Sequence, residues 1–132
     1  MDYFEKVKSF LLEMEFDITQ QDPDEELVLV DKEEEGIKNL MVDCEDPILI
    51  IEQYLFTIKN ESATLFRELL KKNREIVHGA FVLDETGTKV LFRDTLQLEN
   101  LDFNELEGSI NSLSLLMSEY YNELIKFSKG EV

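Results

Sequence analysis

The run Ile48-Leu49-Ile50-Ile51-Glu52-Gln53-Tyr54-Leu55-Phe56-Thr57-Ile58 is apolar on both of the faces a strand would present. Its β-branched and aromatic content favours an extended chain over a helix of that length. Asp46-Pro47 just before it supplies a turn. Side chains alternate across a strand, so Ile48, Ile50, Tyr54, Phe56 and Ile58 fall on one face and Leu49, Ile51 and Leu55 on the other. A sheet covered on one side needs only one apolar set. The second set therefore asks for cover of its own, from a helix of the same chain, from a second copy, or from another protein.

The remaining elements arrange themselves around this strand. Residues 2–15 read as a helix, with Asp2 and Glu5 spaced as a capping box and Phe4, Val7, Leu11 and Met14 as its apolar stripe. The stretch DITQQDPDEE lacks a period and contains Pro23, so it reads as a loop with room for a short strand before it. Glu26–Asp31 and Ile37–Cys44 are strand-like and flank KEEEG, whose Gly36 suits a positive φ. A second helix is expected over 61–74, capped by Asn60 or Ser62, and two strands over 76–83 and 89–98 flank DETGT. Leu101-Asp102-Phe103-Asn104-Glu105-Leu106 opens a last long helix with a cap, a box and a hydrophobic staple. The order is α-β-β-β-α-β-β-α: an α+β fold with helices packed on a mostly antiparallel sheet.

A chain of 132 residues has room for one core, so 1–132 is read as a single domain. Thirty acids against 13 Lys and Arg leave a net charge of −17. The excess is uneven, because residues 61–79 carry three acids and four bases. Such a field repels phosphate backbones and anionic lipid, which argues against nucleic-acid and membrane partners. Cys44 is the only cysteine, and the start MDYFEKVKSF shows no basic stretch followed by an apolar core, so a cytoplasmic location is expected.

No constellation reaches the level of an active site. DETGT lies one letter from the D-K-T-G-T motif of phosphoaspartyl enzymes, which makes Asp84 a candidate nucleophile for a phosphatase or phosphotransferase. Glu85 stands where that motif has lysine, however, and would repel an incoming phosphate. A polar, glycine-containing stretch between two strand-like runs is a hairpin signal. Asp31, Glu33, Glu35 and Gly36 loosely echo the start of a calcium loop, but Val42 stands where the bidentate Glu is required. His78 is the only histidine, and Cys44 reads as a small apolar strand residue rather than its thiol partner. No cofactor is implied.

From Asn73 onward the chain resembles the YbjN branch of the type III secretion chaperone-like fold. The features are a D-x-x-G turn (Asp84 to Gly87) between two strands, an L-D-x-x-E-L helix entry (Leu101, Asp102, Glu105, Leu106) and a Tyr120-Tyr121 pair in the last helix. The resemblance implies an acidic bacterial protein without enzymatic activity, and it carries over no catalytic or metal residue. Secretion chaperones of this fold dimerise and hold a non-globular segment of a cargo protein. The expectation is therefore a homodimeric, chaperone-like protein-binding module. Its partner or secreted cargo would meet the second apolar set of the 48–58 strand: Leu49, Ile51 and Leu55. An acidic regulator of a basic partner is the other non-enzymatic possibility.

Overall fold

The computed structural model describes residues 2–131, within which six strands form one antiparallel sheet. The strands are β1 (Asp17–Asp22), β2 (Leu27–Lys32), β3 (Ile37–Glu45), β4 (Ile48–Thr57), β5 (Ala80–Leu83) and β6 (Lys89–Gln97), and the spatial order is β1-β2-β3-β4-β6-β5. Four helices accompany them: α1 (Tyr3–Glu13), α2 (Ala63–Asn73), α3 (Phe103–Glu119) and α4 (Tyr121–Ser128). The α+β class and the antiparallel sheet are as the sequence leads one to expect.

Three elements differ in detail: β5 begins only at Ala80, so the strand expected over 76–83 is half that length. DITQQD is a full edge strand, β1, although only Ile18 is even half-buried. An edge strand held by ladder bonds to β2 alone needs little apolar content, so its sequence shows no period of two. The last helix is broken at Tyr120, where φ is −105° and ψ 11°. Tyr120 packs beside Phe81 of β5, with ring centroids 6.3 Å apart, and past the break Phe127 meets Phe56 of β4 at 6.3 Å.

Register explains which side of the sheet the helices occupy. In the ladders Val42 lies opposite Ile51, Cys44 opposite Leu49, Leu49 opposite Leu96, and Gln53 opposite Phe92. This face of β2, β3, β4 and β6 joins Phe4, Val7 and Leu11 of α1, Leu65 and Leu69 of α2, Leu106, Ile110 and Leu113 of α3, and Leu124 and Phe127 of α4 in one buried cluster. Ser109 of α3 donates a hydrogen bond to Asp94 Oδ2 at 2.7 Å, and Asp94 is the ladder partner of Ile51. Phe10 of α1 meets Phe103 of α3 edge-on at 5.9 Å. The helices thus share one side of the sheet.

Local signals set the helix ends. Asp102 Oδ1 accepts from the Glu105 N–H at 2.8 Å and Glu105 Oε1 accepts from the Asp102 N–H at 3.3 Å, a complete capping box, with Leu101 and Leu106 both buried. At α1 only half of the box forms, Asp2 accepting from the Glu5 N–H. Ser62 caps α2, while the Asn60 amide reaches the carbonyl of Gly130. Gly79 leads into β5 at φ +83°, where a Cβ would sit 2.5 Å from the Phe92 ring, so both conformation and space require glycine there.

Candidate functional site

Among the described residues, no helix covers the second face of the sheet. Leu27, Asp43, Ile50 and Thr95 form one row across β2, β3, β4 and β6, with Leu29, Met41, Glu52 and Arg93 as the next. Tyr54, Leu91 and Val82 continue the apolar surface toward β5. None of these apolar side chains belongs to the buried cluster; most are half-buried and Tyr54 is 53% exposed. A contiguous apolar surface of this kind on a charged protein marks an interaction site more often than chance exposure does.

The expected partner contacts land on the other side. Leu49 and Ile51 are both 0% exposed within the buried cluster of the same chain, and Leu55 is half-buried against the core. This corrects the sequence expectation, and the physical reason is register. A bulge at Leu55, between the pairs Tyr54–Leu91 and Phe56–Val90, shifts the alternation so that Phe56 joins Leu49 and Ile51 under the helices. Ile48, Ile50 and Tyr54 are left on the open side. The second helix packs chiefly on β5, with Leu65 and Leu69 joining the same buried cluster.

Charge is distributed unevenly on the open face. Arg93 is held by Glu52 at 2.8 Å. Asp43, between Leu27 and Ile50, has an Oδ1 that is shielded from solvent and has no hydrogen-bond partner. Burial, then the charge of Glu45, a side-chain hydrogen bond with Glu45, and the charges of Glu25 and Glu52 push its pKa up from 3.8 to about 6. Sequence reasoning missed Asp43. Its spacing from Met41 puts it on the same face of β3, but the alignment with Ile50 appears only once the ladder register is known.

A second apolar surface lies at the β5 edge. Phe66, Leu69 and Leu70 of α2 with Phe81, Leu83 and Val90 line a groove of about 240 Å³. Leu70 is 69% exposed and Leu83 44%. The side chain of Asn73 closes part of this edge: its amide donates to the Phe81 carbonyl at 3.1 Å and its oxygen accepts from the Phe81 N–H at 2.7 Å. Lys72, on the neighbouring turn, is buried against Tyr120 and Phe127 and paired with Glu123, tying α2 to α4.

The candidate catalytic groups are absorbed by structure. Asp84 Oδ1 accepts from Thr86 Oγ1 at 2.8 Å and from the N–H groups of Thr88 and Lys89 at 3.1 and 3.2 Å. Against some desolvation, the bonds from Thr86, Lys89, Thr88 and Gly87 hold its carboxyl below the usual carboxylate range. Asp84 thus organises the DETGT hairpin with Gly87 at φ +74°. In the KEEEG connection Asp31 accepts from the Asn39 N–H and pairs, with Glu33, to Lys38. Cys44 faces the core, its thiol pushed up to about 12 by burial and then by Glu26. His78 is exposed before β5, its backbone tied to Ser112 of α3, with β4 and β6 separating β3 from that edge.

The family model CesT_Tir_1, a type III secretion chaperone family, matches residues 1–130. The chain belongs to this family. Among solved structures, YbjN from E. coli, described as a candidate transcription regulator, is similar at 11% identity and TM-score 0.68, over 91% of this chain and 92% of YbjN. A chain of the HopA1–SchA chaperone–effector complex is similar at 13% identity and TM-score 0.61, over 96% and 94%. The Yersinia pestis type III secretion chaperone SycH, solved with a stable fragment of YscM2, is similar at 16% identity and TM-score 0.57, over 96% and 100%. A search of curated proteins gave no match. The fold is that of the secretion chaperones, and no helix among the described residues is long and apolar enough to cross a membrane.

Proposed function

We propose that this protein is a non-enzymatic, chaperone-like module of the bacterial cytoplasm that holds a segment of a partner or secreted cargo protein and works as a homodimer. The observation that carries the reading is the one-sided sandwich: helices bury one face of the sheet and leave Leu27, Leu29, Met41, Ile48, Ile50 and Tyr54 available on the other. The likeness to chaperones solved with bound partners supports it. The YbjN likeness does not add a DNA-binding role, because a net charge of −17 repels a phosphate backbone.

The two apolar surfaces suit different occupants. A second copy is strongly acidic, so it docks best where local charge is not negative. Residues 61–79, which include α2, carry three acids and four bases, and the groove between α2 and β5 is apolar. We assign the homodimer contact to that groove and the partner segment to the open sheet face. Light scattering on the purified chain tests the first assignment. The wild type is expected to be a dimer at tens of micromolar, and Leu70→Asp a folded monomer, since Leu70 is exposed within one subunit. A monomeric wild type, or a dimer indifferent to Leu70→Asp, contradicts it.

A further inference from the structure

The open sheet face combines an apolar surface with a carboxylate that lacks a counter-charge. Asp43 Oδ1 is shielded from solvent and unbonded, with Leu27 and Ile50 as ladder neighbours on either side. A carboxylate set among apolar groups without a partner is unfavourable. Among the described residues no cation answers it: Arg93, the nearby base on this face, is committed to Glu52 at 2.8 Å. Glu45 on the same strand also shares a side-chain hydrogen bond with Asp43, and with Glu25 in the turn before β2 and Glu52 on β4 every group that acts on it is acidic.

Resting on the reading of this face as the partner surface, we infer that the segment it holds is basic and amphipathic, seating a Lys or Arg on Asp43 and apolar side chains on Leu27, Met41 and Ile50. An incoming ammonium or guanidinium supplies the bond that Asp43 Oδ1 lacks and the counter-charge that Glu45 cannot give, and the flanking apolar contacts exclude water and strengthen it. Acidic or uncharged amphipathic segments meet the same apolar surface but leave Asp43 unpaired. Asp43 is thus a specificity residue, which selects among segments that the apolar face alone would accept. It also makes capture sensitive to acid, because protonated Asp43 no longer attracts a cation.

Two short synthetic peptides test this on the full chain: one alternating Leu and Lys, the other Leu and Gln. Binding is followed by NMR shifts of the Leu, Ile and Met methyl groups. The Leu–Lys peptide is expected to move the Leu27, Met41 and Ile50 methyls and to bind about tenfold more weakly to Asp43→Asn. Glu34→Gln removes the same charge from the turn between β2 and β3 and should leave affinity within about twofold, which separates a specific contact from the general attraction of an acidic protein. Wild-type affinity should fall as pH drops through about 6, and Asp43→Asn should not follow it. Equal binding of both peptides to these methyls, or equal loss in Asp43→Asn and Glu34→Gln, overturns the cation contact and keeps the sheet-face reading. Peptides that leave these methyls unmoved overturn both.

Discussion

On β4 two interleaved sets of side chains, one residue apart, have opposite fates. Leu49, Ile51 and Phe56 are at most 4% exposed in the core on the helix side, whereas Ile48 and Ile50 are half-covered and Tyr54 is 53% exposed on the open side. Both sets are hydrophobic, so transfer of apolar surface from water does not by itself choose between them. The choice is made by where the connections deliver the helices and by a bulge at Leu55 that moves Phe56 across. Polar placement agrees with it. Asp94 on the covered face is satisfied by Ser109, while Asp43 on the open face keeps an unbonded oxygen. This chain encloses one side of its sheet and leaves the other open, with apolar residues on both: the first set holds the fold together, and under the proposed function the second meets a partner.

That contrast can be broken by paired substitutions. Ile51→Asn places an unbonded amide in the packed core and is expected to cost about 3–5 kcal/mol, enough to unfold much of the population. Ile50→Asn, one residue away, should cost about 1 kcal/mol or less, because its side chain still reaches water. Urea midpoints for the two variants check this, and similar losses would mean that both faces are core. A smaller effect concerns Asp43. Its folded-state pKa of about 6 lies above the ordinary 3.8, so the native state holds the proton more tightly than the unfolded chain does. The ionised side chain therefore burdens the fold above about 6, and that burden is relieved as pH falls from about 6 toward 3.8. Asp43→Asn should match or exceed the wild type in stability at neutral pH, with the gap closing on acidification. A variant less stable than the wild type at neutral pH would contradict the unpaired state of the carboxylate.

Much of the fold was legible in the sequence because its signals are local. The Asp102–Glu105 box and the DETGT turn each depend on residues within a few positions of one another, and each is found as expected. The strand β1 was not legible, since an edge strand with Ile18 as its one half-buried residue carries no alternating pattern. The break at Tyr120 answers to Phe81 and Phe127 contacts made far along the chain. The candidate site was half legible. The two-sided character of 48–58 pointed to a partner surface, but alternation alone does not say which set faces the helices, and the set chosen was the buried one. Asn73 at the β5 edge and Lys72 against α4 are likewise contacts that only tertiary placement creates.

The central claim, that the folded protein leaves one sheet face open and directs self-association elsewhere, is tested most directly by a soluble paramagnetic probe added to the methyl-labelled full chain. We expect the Ile48, Ile50, Leu27 and Leu29 methyls to broaden strongly while those of Leu49, Ile51, Val28 and Val30 remain sharp, with Leu70 protected at concentrations where the chain is dimeric. Equal protection of the Ile50 and Ile51 methyls, with Leu70 broadened, would show a second copy seated on the sheet and contradict the account.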